Sequence, residues 1–79
     1  MNQKAYESVK SGKSDNNIKY MDFQKLILDL GFEFQRQNGS HTMYFHRKVK
    51  VFLNIQKDGS KAKSYQVEQL REIIIDYGL

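Results

Sequence analysis

The sequence predicts an α+β fold in two layers, with the element order α-β-β-β-α, a three-stranded antiparallel sheet and both helices on one face. Two segments carry apolar residues at helical spacing, and between them lie three short segments rich in aromatic and β-branched residues with very short connections. A chain of 79 residues supports one small core. We therefore expect a single domain at residues 18–79, preceded by a partly flexible N-terminal arm at residues 1–17.

The N-terminal arm is polar and offers only Tyr6 and Val9 as apolar anchors, so we expect at most a short helical turn there. The first helix is predicted at about residues 18–30, and Gly31 supplies its left-handed stop. Four apolar residues follow one face of this helix and should be buried. They are Phe23, Leu26, Ile27 and Leu30.

Three strands are predicted at about residues 32–37, 42–47 and 49–55. Asn38-Gly39 is the strongest short-range hairpin signal, and Arg47-Lys48 leaves room only for a second tight turn. Alternation of side chains assigns the two faces of the sheet. The face covered by helices is expected to hold Phe32, Phe34, Met43, Phe45, Val49, Val51, Leu53 and Ile55. The open face is expected to hold Gln35, Gln37, Thr42, Tyr44, His46, Lys50, Phe52 and Asn54.

A basic loop at residues 56–63 separates the third strand from the second helix, and its Asp58-Gly59 indicates a turn. Ser64 is the expected N-cap of the second helix, and Gly78 is its expected stop. The buried stripe of this helix consists of Val67, Leu70, Ile74 and Tyr77.

The net charge of +4 is concentrated in the middle of the chain. Residues 1–33 sum to zero, residues 34–67 to +6, and residues 68–79 to −2. A focused positive charge suits a polyanion such as RNA, although a solvated lysine-rich surface is the alternative. No apolar run approaches the about 20 residues that span a bilayer, and the chain has no cysteine. We expect a soluble, cytoplasmic protein without a membrane partner.

Four motifs in a fixed order resemble the HicA family of bacterial toxins. They are Leu30-Gly31-Phe32, Gly39-Ser40-His41 at the first hairpin, Asn-Ile-Gln-Lys-Asp-Gly-Ser-Lys-Ala-Lys at residues 54–63, and Tyr-Gln-Val-Glu-Gln-Leu-Arg at residues 65–71. The resemblance covers about residues 12–79. It implies a fold like the double-stranded RNA-binding domain, ribosome-independent cleavage of mRNA, and neutralisation by a HicB-like antitoxin. The chain departs from the commonest family pattern in its third strand, which reads Phe52-Leu53-Asn54-Ile55 where many members carry proline-valine-histidine.

The resemblance places the functional histidine of the family on His41. Histidine suits proton transfer in RNA cleavage because its ordinary pKa is about 6.5. Gly39 lets the backbone approach a phosphate, and Ser40 can donate a hydrogen bond to it. Alternation puts His41 on the side of Met43, so we expect it at the rim of the helix-covered face. The alternative is a turn-end histidine that is hydrogen-bonded to the backbone.

Further RNA contacts are predicted at the basic loop, where Lys57, Lys61 and Lys63 precede a helix N-terminus and form a candidate phosphate clamp. A flexible, solvated loop is the alternative there. Tyr44 and Phe52 are expected on the open face, where they can stack on bases or receive a partner's side chains. His46 is expected beside them and can carry a second proton or stack on a base, with an ordinary surface histidine as the alternative.

The sequence predicts an endoribonuclease toxin, an mRNA interferase that acts without a metal or other cofactor. His41 and His46 are expected on opposite faces of the sheet, where they cannot bind one metal ion together, so no metal site is expected. The expected partners are mRNA and a HicB-like antitoxin. A non-catalytic RNA-binding module of the same fold and a protein-interaction domain are the alternatives.

Overall fold

Three helices and a four-stranded antiparallel sheet make up the computed structural model, which describes all 79 residues. The α+β class is thus confirmed, with one helix and one strand more than predicted. None of the helices has the length and apolar character to cross a membrane. The helices are α1 (Gln3–Ser11), α2 (Tyr20–Asp29) and α3 (Ser64–Tyr77). The strands, in sheet order, are β1 (Phe32–Asn38), β2 (His41–His46), β3 (Val51–Asp58) and β4 (Lys61–Ala62).

Helix α1 is longer than the short helical turn that the sequence predicted. The Asn2 side chain caps it by accepting a 3.1 Å hydrogen bond from the Ala5 amide. Ala5 and Val9 are buried in the same core as the other two helices. The Tyr6 hydroxyl donates to the carbonyl of Leu79 at 2.9 Å. Two small apolar side chains are enough here because α3 lies alongside to receive them.

An ion pair joins the connection after α1 to α3. The Arg71 guanidinium donates two hydrogen bonds to the carboxylate of Asp15, at 2.9 and 3.0 Å, and a third to the carbonyl of Val9 at 3.0 Å. The two side chains are only 18% and 20% exposed, so solvent screens this pair less than a surface pair. The hydrogen bond to Asp15 raises the pKa of Arg71, so the pairing stabilises the charged guanidinium.

The face assignment of β2 was wrong. Thr42, Tyr44 and His46 are buried against the helices, whereas Met43 and Phe45 lie on the open face. Hydrophobicity alone favours the opposite arrangement, because methionine and phenylalanine are more apolar than tyrosine and histidine. The pairing of β2 with β3 decides which face of β2 is buried.

The register between β2 and β3 places the even-numbered residues of β2 on the core face. The expected tight turn at Arg47-Lys48 was wrong: the connection is four residues long, at residues 47–50, and β3 begins at Val51. His46 therefore pairs with Val51, and Tyr44 pairs with Leu53. Paired residues in an antiparallel sheet share a face. Because the apolar residues of β3 face the helices, the residues of β2 that pair with them also lie on the core face.

A bulge in β1 reconciles this register with the aromatic residues of that strand. Phe32 and Phe34 pair with β2 on the core side, the register then shifts at Gln35, and Arg36 pairs with Met43 on the open face. Phe34 remains 55% exposed because β1 is the edge of the sheet. The bulge therefore turns a guanidinium toward the open face.

Hydrogen bonds make the buried ring of His46 acceptable in the core. Its Nε2 lies 2.9 Å from the Leu30 carbonyl oxygen, and its Nδ1 accepts from the Val49 amide at 3.4 Å. The tautomer with its hydrogen on Nε2 satisfies both contacts, since Nε2 then donates to Leu30 while Nδ1 accepts from Val49. A Cβ at Gly31 would stand 2.8 Å from Nε2, and its φ of 104° also requires glycine.

The hydroxyl of Tyr44 is likewise satisfied, by a 3.0 Å hydrogen bond from the side chain of Gln24 in α2. Burial raises the pKa of Tyr44, although the hydrogen bond from Gln24 opposes this change. The core can thus hold the rings of Tyr44 and His46 because their polar atoms have hydrogen-bond partners.

Candidate functional site

His41 begins β2 and is exposed on the open face of the sheet. The expectation that it lies at the rim of the helix-covered face was wrong, because it shares the face of Met43. The turn Gly39-Ser40 precedes it, and Asn38 pairs with His41 across the turn. Gly39 has a φ of 63°, and no atom lies within 4 Å of the position that a Cβ would occupy there. The backbone at this turn is therefore open to a ligand.

A shallow depression of about 220 Å³ adjoins the imidazole and is lined by Arg36, Asn38, His41, Met43 and Asn54. Arg36 is exposed and forms no ion pair, so its guanidinium is available to an anion. A guanidinium binds phosphate through two parallel hydrogen bonds. No group of three His, Cys, Asp or Glu side chains is placed to hold a metal ion. The depression thus combines a titratable ring with a cation and two amides.

Gln56 links the hairpin that carries His41 to the start of α3. It pairs with His41 in the sheet, and its side-chain amide donates to the Ser40 hydroxyl at 2.6 Å. The ammonium of Lys63 donates to the side-chain carbonyl of Gln56 at 2.8 Å. The backbone amide of Gln56 donates to the side-chain carbonyl of the buried Gln66 at 2.9 Å. Because the Ser40 oxygen accepts from Gln56, its own hydrogen remains free to be donated to a ligand.

Two of the three lysines of the predicted phosphate clamp hydrogen-bond to different partners, and the third is exposed. Lys63 binds Gln56, the ammonium of Lys61 donates to the Asn17 side chain at 2.9 Å, and Lys57 is exposed. The segment that carries them is a short hairpin, in which β4 pairs with the end of β3. Of the three, Lys63 is therefore the one that hydrogen bonds connect to the surroundings of His41.

The start of α3 also differs from the expectation. Ser64 is the first residue of the helix, and Lys63 occupies the N-cap position without a side-chain hydrogen bond to the helix. The first amides of a helix have no partner within it, and here the Gln66 amide donates to the carbonyl of Lys63 at 3.0 Å.

Tyr44 and His46 do not belong to this site. Both were predicted to contact RNA from the open face, and both are buried with their polar atoms paired inside the protein. Phe52 does lie on the open face as predicted, where it is 59% exposed. It packs against Phe45, with ring centroids 4.6 Å apart.

Sequence reasoning missed Arg36, Phe45 and Gln56. Arg36 reaches the open face only because of the bulge, for which the sequence carries no clear turn signal. Phe45 was placed in the core by alternation, and a correct register of β2 would have corrected it. Gln56 is part of the motif at residues 54–63 and directly follows a predicted strand, which was the one available signal.

The fold and the site define a small α+β protein whose open sheet face carries an exposed histidine beside an unpaired guanidinium. Comparisons of the chain with protein-family models, with curated proteins and with solved structures find no significant match. What the protein does is therefore inferred from its motifs and its geometry.

Proposed function

We propose that this protein is a metal-independent endoribonuclease toxin of a toxin-antitoxin system, which cleaves mRNA with His41 as the general base. The observation that supports this proposal best is the exposure of His41 in a depression that it shares with the unpaired Arg36. The motif Gly39-Ser40-His41 and its resemblance to the HicA family favour the same activity.

The proposed reaction uses the ribose hydroxyl beside the scissile phosphate as the nucleophile. His41 accepts the proton of that hydroxyl, because a neutral imidazole is a competent base near neutral pH. Arg36 and the Ser40 hydroxyl stabilise the negative charge that develops on the phosphorus oxygens. With His46 in the core, the leaving oxygen takes its proton from the Lys63 ammonium or from water.

The proposed partners follow from the same resemblance. mRNA is the substrate, and a HicB-like protein is the antitoxin. A protein that covers the open face would block access to His41 and so inhibit cleavage. An mRNA substrate places the protein in the cytoplasm.

A non-catalytic RNA-binding module is the second candidate. The burial of His46 favours it, since His41 is then the only histidine on the open face. One histidine serves as base or as acid at a given moment, whereas cleavage requires both transfers.

Incubation of the purified protein with RNA in EDTA, beside a His41→Ala variant, separates these candidates. The nuclease proposal expects cleavage by the wild type and a loss of about a hundredfold or more in the variant, with RNA still retained. Retention of RNA without cleavage by either protein supports the binding module. If the wild type fails to retain RNA at low salt, both candidates are wrong, because phosphate contacts dominate such binding.

A further inference from the structure

An aromatic pair on the open face, in which Phe52 is exposed and Phe45 is half-buried, has no role in the reaction described above. Phe45 and Phe52 are directly opposite in the β2–β3 pairing, and their rings are tilted by 41°. More than half of the Phe52 side chain is exposed to water. The ring of Phe52 packs against Phe45 and leaves the rest of its apolar surface open to a ligand.

The aromatic pair and His41 lie on the open face of the same two strands, β2 and β3. Phe52, Asn54 and Gln56 follow one another on the open face of β3, and His41 lies across from Gln56. At about 3.3 Å per residue, the ring of Phe52 is about 13 Å from the position of His41 along the strand. Arg36 lines both the depression at His41 and a second one at Phe52. A chain of a few nucleotides covers such a distance.

The charge around the aromatic pair favours an anionic ligand. Arg36 is unpaired, and Lys48 and Lys50 are exposed in the adjoining turn. The carboxylate that faces Phe45 across the strands belongs to Glu33, which is bound to Arg47 at 3.2 Å. Exposed cations beside aromatic rings form the arrangement that binds unpaired nucleic acid.

We propose that Phe45, Phe52 and Arg36 form a stacking platform that takes single-stranded RNA and leads its backbone to His41. This inference rests on the proposed function and specifies the form of its substrate. A base inside a duplex is covered on both faces by its neighbours, so it cannot stack on a phenyl ring of a sheet. An unpaired base has a free face and can do so.

Binding of a fluorescent oligonucleotide with 2′-O-methyl riboses tests the platform without cleavage, since methylation removes the nucleophile. The affinities of the wild type, Phe52→Leu and Phe52→Tyr are compared for an unpaired strand and for its duplex. Phe34→Leu is the matched control, because Phe34 is 55% exposed but lies on the other face of the sheet, beside Tyr44.

Phe52→Leu should weaken binding of the unpaired strand by about tenfold, as expected for the loss of one stacked base. Phe52→Tyr keeps the ring and should bind like the wild type, and so should Phe34→Leu. The wild type should prefer the unpaired strand over the duplex. Unfolding by urea confirms that each variant is folded under the conditions of the assay.

Equal affinity of the wild type and Phe52→Leu for the unpaired strand overturns the platform, and so does a preference for duplex. If Phe52→Leu instead loses only the binding of a protein partner, the face is a protein interface and the platform is wrong. These outcomes leave the nuclease proposal intact, provided that the wild type cleaves unmodified RNA. If the wild type binds no RNA at low salt, the proposed function itself fails.

Discussion

The side chain of Gln56 hydrogen-bonds both to Ser40, at 2.6 Å, and to Lys63, at 2.8 Å. One amide thus holds the residue before His41 and the residue before α3 in a fixed relation. In the proposed reaction Ser40 acts on the phosphate and Lys63 is one source of the proton for the leaving oxygen, while Gln56 positions both.

Replacing Gln56 with leucine should lower the cleavage rate by about ten- to a hundredfold, because small displacements of positioned groups are costly to catalysis. The rate at saturating RNA is the quantity to measure. Gln37→Leu is the matched control. Its side-chain amide donates to the Gly39 carbonyl at 3.2 Å in the same hairpin, but it forms no hydrogen bond with Ser40. Equal losses in the two variants would mean that the hairpin as a whole, rather than the Gln56 network, controls the rate.

His46→Ala should destabilise the protein by about 2 to 4 kcal/mol, because it opens a cavity and leaves the Leu30 carbonyl without its partner. The ring also packs edge-on against Phe32, with centroids 5.0 Å apart. Unfolding by urea measures the change. The control is His41→Ala, for which we expect a change within about 0.5 kcal/mol because the side chain is exposed. A stable His46→Ala variant would contradict the buried position of this ring.

Tyr44 should make stability decline at alkaline pH. Burial raises the pKa of Tyr44 above its ordinary value of 10.0, so the folded protein holds the phenolic proton to a higher pH than the unfolded chain does. The hydroxyl of Tyr44 therefore does not change the free energy of unfolding at pH values well below 10.0. It lowers the free energy of unfolding as the pH rises above that value. The free energy of unfolding of wild type and Tyr44→Phe, measured across this range, gives the difference.

The Tyr44→Phe variant should lose less stability between neutral and alkaline pH than the wild type does. Tyr65→Phe is the control, since Tyr65 is exposed, and its alkaline profile should match the wild type. Identical profiles for all three proteins would show that the hydroxyl of Tyr44 titrates as it does in the unfolded chain.

Arg71→Lys should destabilise the protein by about 1 to 3 kcal/mol, because lysine cannot reproduce the paired hydrogen bonds to Asp15. Amide hydrogen exchange should show the loss of protection in α1, whose carbonyl at Val9 also binds this guanidinium. The double variant with Arg71→Lys and Asp15→Asn should lose less free energy of unfolding than the sum of the losses in the two single variants.

The control for this ion pair is Arg47→Lys. Arg47 pairs with Glu33 at 3.2 Å on the surface, where such a pair is worth about 0 to 1 kcal/mol. If both arginine variants have the same small effect, the Asp15 pair does not hold α1 in place.

Much of the fold could be predicted because its signals are local. Helices α2 and α3 follow from apolar residues at helical spacing, and Gly78, with a φ of 67°, ends α3 as predicted. Tyr77 was expected in the buried stripe of α3, but it is exposed. The Asn38-Gly39 signal correctly located the first hairpin. Helix α1 was underestimated because its two small apolar residues do not form a strong stripe. They become sufficient only when α3 and Arg71 lie beside them.

The sequence by itself determined the types of most elements, the antiparallel order of the first three strands and the position of His41 directly after a tight turn. Only the tertiary structure decided that His41 faces solvent and His46 faces the core. The physical reason is that side chains alternate along a strand, so the register alone decides which set is buried. That register depended on the four-residue connection at residues 47–50, the bulge at Gln35 and the hydrogen bonds that satisfy the buried ring of His46.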